Sequence, residues 1–324
     1  MKAKANLLRL KINLSVNIAG ISMKNPVMPA SGTFGYGEEY SQLIDISRLG
    51  AVVTKGTTFN PREGNPQPRI YETASGIINC IGLQNPGIEE VIREKIPFLR
   101  QFGVPIIVNI AGETIEEYEY LVKRLDQASS KGNIAGLEVN VSCPNIKEGG
   151  MAFGQDPKIL SKLIGKVRKK TSLPLIVKLT PNVTDITSIA QSAVEAGADA
   201  LSLINTIKAR AKIRRGPQVG KWIEGGFSGP AIKPIALRMV SEVAKANLGV
   251  PIIGIGGIMN TEDALDFFEV GATAIAIGTA NFINPKVMEE MIKGLKKYLI
   301  DNKITDINHL IEKKKGGVKN EGKR

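Results

Sequence analysis

Residues 251–279 read PIIGIGGIMNTEDALDFFEVGATAIAIGT. Two short apolar runs, Pro251–Gly256 and Ala274–Gly278, flank a segment of helical periodicity at Thr261–Glu269. Runs of this length without polar alternation are typical of strands that are buried on both faces of a parallel sheet. The sequence here therefore predicts a strand–helix–strand unit in which glycine stands at the end of each strand.

The same unit recurs along the rest of the chain. The predicted strands are Pro26–Ser31, Ala51–Lys55, Pro105–Ile110, Gly136–Ser142, Leu175–Thr180, Ala200–Asn205, Pro251–Gly256 and Ala274–Gly278. The predicted helices are Glu39–Ser47, Ile88–Gln101, Ile115–Ser130, Pro157–Lys170, Asp185–Ala196, Ala231–Ala246, Thr261–Glu269 and Pro285–Leu299. Such alternation favours an α/β fold closed as a (β/α)8 TIM barrel over an open doubly wound sheet. Leu10–Asn17 is predicted to add an N-terminal β-hairpin at the bottom of the barrel.

Composition and charge limit the classes of protein that the chain can belong to. Of its 324 residues 43% are hydrophobic, yet no apolar run reaches the ~18–20 residues that span a bilayer, and no signal peptide is recognised. The net charge of +12 lies mostly in residues 1–11 and 309–324, and no nucleic-acid-binding motif accompanies it. We expect a cytoplasmic protein without membrane or nucleic-acid partners. Residues 1–308 are predicted to form one barrel domain and residues 309–324 a basic, disordered tail.

Polar side chains stand at the carboxyl ends of most predicted strands. They are Ser31, Lys55, Asn109, Asn140, Ser142, Lys178, Asn205 and Thr206. Two long connections, Gly56–Gly87 and Thr206–Pro230, and the shorter Cys143–Asp156 follow strand ends on the same face. Barrel enzymes place their chemistry on this face, so the pattern predicts a ligand-lined mouth bordered by long loops.

Glycines follow the last two predicted strands, in Gly254-Ile255-Gly256-Gly257 and in Gly278-Thr279. Backbone N–H groups that glycine leaves uncovered after strands 7 and 8 form the common phosphate site of barrels. Glycine also serves tight strand-to-helix turns, but the pair of motifs favours a phosphorylated cofactor or substrate.

Lys178 and Lys55 each end an apolar strand, where an ammonium group needs an anionic partner. One interpretation is a Schiff-base nucleophile, as in barrel aldolases. Another is a fixed cation beside a flavin ring, which stabilises the negative charge that develops on reduction. An exposed salt bridge is the third, and these residues alone do not choose among them.

The chain has two cysteines, Cys80 and Cys143, and one histidine, His309. This set excludes a four-cysteine zinc or iron–sulfur site made by this chain alone, and no metal site is predicted. A disulfide between the two is disfavoured in a cytosolic protein. Cys143 is interpreted either as a small buried apolar residue or, because it follows a strand end near lysines, as a reactive thiol. Cys80 has no evident partner and is assigned to packing.

A series of motifs stands in a fixed order along the chain: Ala30–Gly35, Thr54–Thr58, Asn79–Gly87, Val108–Ile110, Asn140–Asn145, Val177–Asn182, Ile204–Thr206, Gly225–Pro230, Gly256–Gly257 and Gly278–Thr279. In this order, and over roughly residues 14–300, the sequence resembles the dihydroorotate dehydrogenases. A single motif of this length can arise by chance, but the whole set in this order is specific for the family. The resemblance implies FMN at the barrel mouth and oxidation of dihydroorotate to orotate in pyrimidine synthesis.

The resemblance also implies a role for each residue at the mouth. The implied FMN contacts are Ser31, Lys55, Gly56, Asn109, Asn140, Lys178 and Ile204, with the phosphate on Gly229, Gly256, Gly257, Gly278 and Thr279. The implied substrate contacts are Lys55, Asn79, Cys80, Ile81, Gly82, Leu83, Asn140, Asn205 and Thr206. Cys143 would be the general base that removes the C5 proton while hydride passes from C6 to flavin N5.

The loop Asn145–Gly154 resembles that of the NAD-linked members, class 1B. This implies a partner subunit that carries FAD and a [2Fe-2S] cluster, in a heterotetramer of two catalytic and two electron-transfer chains, with NAD+ as final acceptor. Quinone-linked members share a serine base and an N-terminal extension. Neither feature is expected in this chain. The Lys-rich extension after His309 departs from the family pattern. A fumarate-linked, class 1A type of acceptor use is the alternative.

Two further function classes stay open at this point. A barrel aldolase would use Lys178 as a Schiff base and hold a sugar phosphate on Gly256 and Gly278. A non-catalytic protein would bind phosphate or nucleic acid through the basic termini.

Overall fold

The computed structural model describes residues 12–129, 134–142, 152–214, 216 and 218–317, with side chains described as far as residue 312. Its strands are, in chain order, β1 (Val16–Ile18), β2 (Ile21–Met23), β3 (Val27–Pro29), β4 (Val52–Val53), β5 (Ile70–Thr73), β6 (Gly76–Asn79), β7 (Ile106–Ile110), β8 (Gly136–Asn140), β9 (Leu175–Lys178), β10 (Ala200–Leu203), β11 (Ile207–Lys212), β12 (Trp222–Ser228), β13 (Ile252–Ile255) and β14 (Ala274–Ile277).

Eight of these strands form a parallel sheet in the order β3-β14-β13-β10-β9-β8-β7-β4. The ends of this sheet meet where the Gly50 N–H donates to the Val27 carbonyl at 2.9 Å. Nearly every residue of the eight strands is buried, as the absence of polar alternation predicted. All eight predicted barrel strands are present, and the predicted (β/α)8 TIM barrel is confirmed.

Helices form the outer layer of the barrel. Their bounds are Ile88–Glu90 with the π-helical Val91–Lys95 and then Ile96–Arg100, Ile115–Ser129, Pro157–Arg168, Ile186–Glu195, Lys233–Lys245, Thr261–Glu269, Ala280–Ile283, Val287–Asp301 and Ile307–Gly317. Asp156 and Asp185 begin two of them, because each carboxylate accepts hydrogen bonds from backbone N–H groups of the first turn. Within the described ranges, none of the helices is long and apolar enough to cross a membrane.

The helix predicted at Glu39–Ser47 is wrong. Two separate 3-10 turns stand there, Tyr40–Gln42 and Ile46–Arg48. Asp45 lies between them in an extended conformation, and its carboxylate accepts from the Ser47 N–H at 3.0 Å. This local bond offers the backbone an alternative to the helical ladder and divides the segment.

The N-terminal hairpin lies later in the chain than predicted, in β1 and β2. The Asn17 side chain accepts from the Gly20 N–H at 2.8 Å in its turn. Ile21 packs against Gly136, the first residue of β8, so the hairpin lies at the amino-terminal end of the barrel.

The C-terminal helix Ile307–Gly317 crosses the predicted domain boundary between residues 308 and 309. Its first turn pairs with Asn13, whose carbonyl accepts from the Ile307 N–H at 3.0 Å. Leu310 and Ile311 are buried in the main core, which explains why the helix continues where a tail was expected. The remaining part of that tail, 318–324, lies outside the described residues.

The two long connections at the carboxyl-terminal face are ordered into a second sheet, here called the cover sheet. It consists of β11, β12, β6 and β5 in that antiparallel order. Ile78, Ile213 and Ile223 form a small core of its own. Segments far apart in sequence are thereby held together above the barrel mouth.

Candidate active site

A cavity of about 890 Å³ lies at the carboxyl ends of the barrel strands. Such a volume is typical of a site for a small molecule or cofactor. Every predicted cofactor- and substrate-contacting residue lines it: Ser31, Lys55, Gly56, Asn79, Cys80, Ile81, Gly82, Leu83, Asn109, Asn140, Lys178, Ile204, Asn205, Thr206, Gly229, Gly256, Gly257, Gly278 and Thr279. Cys143 lies outside the described residues, but the preceding residue, Ser142, lines the same cavity.

The floor of the cavity carries a buried ammonium group. Lys178, at the end of β9, donates to the Ser31 hydroxyl at 2.8 Å. Its Nζ lies 3.7 Å from Oε2 of Glu138 on β8. The Glu138 carboxylate is a partner for a charged Lys178, which favours the fixed-cation interpretation over the Schiff base.

Amide side chains gather beside this floor. The Asn205 Nδ2 group donates to Asn140 Oδ1 at 3.2 Å and to Ser142 Oγ at 2.9 Å. Asn205 Oδ1 in turn accepts from the Thr206 N–H at 2.8 Å, which fixes the plane of the amide. Asparagines offer donors and acceptors together, so this cluster suits the amide and imide edges of a planar ring.

A glycine corner, formed by Gly229, Gly256, Gly257, Gly278 and Thr279, borders the opposite part of the cavity. Gly257 has φ +73°, and an added Cβ would lie 2.7 Å from the backbone nitrogen of Lys233. Only glycine fits this close approach. The loop is anchored by Asp263, whose carboxylate accepts from the Met259 N–H at 2.8 Å and pairs with Lys233. Peptide groups uncovered by side chains suit a phosphate here.

The cover sheet brings the segment Asn79–Leu83, predicted to contact the substrate, over the mouth. β6 pairs with β12, and the Asn79 side chain donates to the Gly226 carbonyl at 3.1 Å. The Asn65 side chain donates to the Cys80 carbonyl at 2.7 Å, so the segment is held on both sides. Cys80 is a free cysteine that lines the cavity and also touches the apolar cluster of the cover sheet.

Lys55 is the second lysine that lines the cavity, and its surroundings differ from those of Lys178. Burial lowers the pKa of Lys55, and the positive charge of Arg69 lowers it further. An anionic ligand would stabilise the charged form of Lys55, because a nearby carboxylate counteracts the effects of burial and of Arg69.

Several lining residues were not predicted as site residues. Arg62, Arg69 and Glu113 line the cavity, and Arg62 pairs with Glu113 at 2.8 Å. They lie in loops, where no periodicity marks which side chains point inward. Glu138 was also missed, although a lone carboxylate inside the apolar run Gly136–Asn140 is a recognisable signal.

The fold and the cavity together define a class: a (β/α)8 barrel enzyme with a phosphate-type corner, buried cations and an amide cluster at its mouth. The profile of the family described as "Dihydroorotate dehydrogenase" matches residues 13–299. The chain therefore belongs to the dihydroorotate dehydrogenase family, as its ordered motifs predicted.

Curated relatives in this family are similar along nearly their whole length. One from Geotalea daltonii is 53% identical over 302 residues, covering 93% of this chain and 98% of the relative. One from Thermoanaerobacter pseudethanolicus is 54% identical over 301 residues, and one from Desulforamulus reducens 53% over 304, each with the same coverage. All three relatives are named "Dihydroorotate dehydrogenase B (NAD(+)), catalytic subunit".

Proposed function

We propose that this chain oxidises dihydroorotate to orotate, a step of pyrimidine synthesis, with FMN bound in the cavity of its single barrel domain. The observation that carries the proposal is that one cavity collects all the implied FMN and substrate residues within the described part of the chain. They come from segments spread over the sequence from Ser31 to Thr279. The names of the curated relatives support the same activity.

The residues present fit FMN. The glycine corner is suited to the phosphate, and Ser31, Gly56, Asn109, Asn140, Lys178 and Ile204 are proposed to border the ring. Bound FMN would supply a hydride acceptor at N5. Lys178 would hold a fixed positive charge where negative charge develops on the ring.

The substrate is proposed to lie between the ring and the cover sheet. Lys55 would bind its carboxylate, since burial has made an anionic partner favourable for this ammonium group. Asn79, Asn140, Asn205 and Thr206 would hold the amide edges, together with the segment Cys80–Leu83. Hydrogen bonds to both amide edges of the substrate ring orient its C5 and C6 atoms.

Cys143 is proposed as the general base that removes the C5 proton. It directly follows Ser142, which lines the cavity and accepts from Asn205. A thiolate beside the substrate would take the proton next to the carbonyl while C6 loses hydride.

Electrons are proposed to leave through a partner subunit that carries FAD and a [2Fe-2S] cluster and reduces NAD+. The name "catalytic subunit" of the relatives supports a partner of this kind. We propose a cytoplasmic heterotetramer of two catalytic and two electron-transfer chains. Fumarate as acceptor is the alternative that the experiments below distinguish.

The direct test is the spectrum of the purified chain. We expect a yellow protein that contains about one FMN, whose absorption bleaches when dihydroorotate is added without oxygen. Colourless protein that takes up no FMN would contradict the proposal. Borohydride trapping of a carbonyl substrate on Lys178 would then favour an aldolase.

A further inference from the structure

Glu138 is a buried carboxylate for which the proposed mechanism has no use. It lies on β8, two residues before Asn140, and its side chain is 3% exposed. It lies behind the cavity wall and is absent from the lining. A charge this deeply buried is costly unless its partners compensate for it, so its contacts deserve a functional explanation.

Three neighbouring strands supply those contacts. Asn109 on β7 donates its Nδ2 to Glu138 Oε2 at 2.6 Å, and Ser202 on β10 donates its hydroxyl to Oε1 at 2.8 Å. Lys178 on β9 places its ammonium group 3.7 Å from Oε2. Asn109 and Lys178 line the cavity, so Glu138 contacts two lining groups from behind.

The first contact fixes the orientation of an amide. An ionised carboxylate can only accept hydrogen bonds. Asn109 must therefore turn its Nδ2 donor towards Glu138. Asn109 Oδ1 then faces Gly56, where an added Cβ would lie 3.1 Å away. The cavity is thereby offered an acceptor rather than a donor at this position.

The contact between Glu138 and Lys178 changes the charge near the cavity. Reduction of a bound flavin by hydride transfer adds negative charge to the ring, which Lys178 alone would stabilise. A carboxylate 3.7 Å from the ammonium group, with both side chains no more than 5% exposed, offsets part of that stabilisation. The pair therefore presents less positive charge to the ring than Lys178 alone would.

We propose that Glu138 is a positioning residue that pairs with Lys178 behind the flavin and makes bound FMN easier to reoxidise. The inference rests on the proposed function, because it requires FMN in the cavity. By offsetting the charge of Lys178, Glu138 lowers the reduction potential of the flavin and lets it pass electrons onward. By orienting Asn109, it also fixes the hydrogen-bonding pattern at the ring.

The test is a redox titration of the FMN-loaded protein against a reference dye. Glu138→Gln keeps the size of the side chain, removes the charge and replaces one of its two acceptor oxygens with an NH2 donor. We expect the ratio of reduced to oxidised FMN at a fixed dye potential to rise about tenfold, which corresponds to about 30 mV for a two-electron couple. Glu138→Asp keeps the charge, so its flavin should have a reduction potential near that of the wild-type protein.

The matched control is Glu242→Gln, which removes a carboxylate from an exposed ion pair with Arg238 on the outer layer. It should leave the potential unchanged. An unshifted potential in Glu138→Gln overturns the inference, while bleaching of the same sample by dihydroorotate would leave the proposed function standing. A wild-type chain that takes up no FMN overturns both.

If Glu138→Gln does not fold, Ser202→Ala provides the second measurement, because it removes one donor to Oε1 and keeps the charge. The reduced-minus-oxidised infrared spectrum of the wild-type protein should contain carboxylate bands that shift in Ser202→Ala. Identical spectra for the two proteins would contradict a carboxylate that senses the charge on the ring.

Discussion

Two lysines reach the same cavity, and their surroundings assign them different tasks. Lys178 is 4% exposed and already has Ser31 and Glu138 as partners. Lys55 is only partly buried, and its lowered pKa is caused by burial and by the positive charge of Arg69. A cation with close polar partners is suited to a fixed electrostatic role, whereas one whose charged form is disfavoured by burial is suited to binding an anion. This contrast supports Lys178 at the flavin and Lys55 at the substrate carboxylate.

Replacement of Cys143 by alanine tests the proposed base. We expect Cys143→Ala to keep its FMN, because the implied flavin contacts are other residues, and to slow flavin reduction by dihydroorotate about 100-fold or more. Stopped-flow absorbance under anaerobic conditions measures this rate.

Cys143→Ser is the matched variant, since it retains a weaker base of similar size at the same position. It should slow reduction less than Cys143→Ala does, and its rate should rise with pH. Near wild-type bleaching in Cys143→Ala would remove the thiol from the mechanism.

At the scale of elements, the barrel was predictable because its pattern is local. Continuous apolar runs followed by helical periodicity mark each strand–helix unit, and strand ends place polar residues on one face. The prediction at Glu39–Ser47 is wrong because periodicity does not register a side-chain cap such as Asp45. The ring of site residues followed from the strand ends together with the family motifs.

The cover sheet was not predicted, because its pairing is not local. β6 and β12 belong to connections that are far apart in the sequence. One local signal was available: residues 207–212 read IKARAK, an alternation of apolar and basic residues with the period of a half-buried strand. Glu138 was missed although its signal is local, since a single carboxylate inside a buried run leaves the predicted strand unchanged.

Gly225 on β12 offers a test of the cover sheet as a binding element. An added Cβ would lie 2.0 Å from the Asn79 carbonyl oxygen, so Gly225→Ala must push β6 away. Overpacking of this kind costs about 1–3 kcal/mol, and we expect roughly a tenfold rise in KM for dihydroorotate with FMN retained. Steady-state kinetics with a dye acceptor measure it.

The control is Gly165→Ala, at a helical position of Pro157–Arg168 where an added Cβ meets nothing within 4 Å. It should leave KM unchanged and stabilise the helix slightly. An unchanged KM in Gly225→Ala would argue that the cover sheet does not hold the substrate.

At the scale of the whole molecule, the proposed function requires a barrel that holds FMN and substrate and an acceptor for the electrons. The cavity of about 890 Å³ has room for a cofactor and a small substrate. The two cysteines of the chain are too few to ligate an iron–sulfur cluster without another chain. Electron transfer through an iron–sulfur cluster would therefore require the proposed partner subunit.

The acceptor is tested by comparing the chain alone with its native complex. We expect the isolated chain to reduce a dye with dihydroorotate but not NAD+, and NAD+ reduction to appear only when a second subunit containing iron and FAD co-purifies. The dye reaction serves as the control, because it shows that the barrel is loaded and active in both samples. Robust NAD+ reduction by the isolated chain would contradict the division of labour between subunits. Rapid turnover with fumarate would favour the alternative acceptor, since fumarate is small enough to reach the FMN through the substrate cavity.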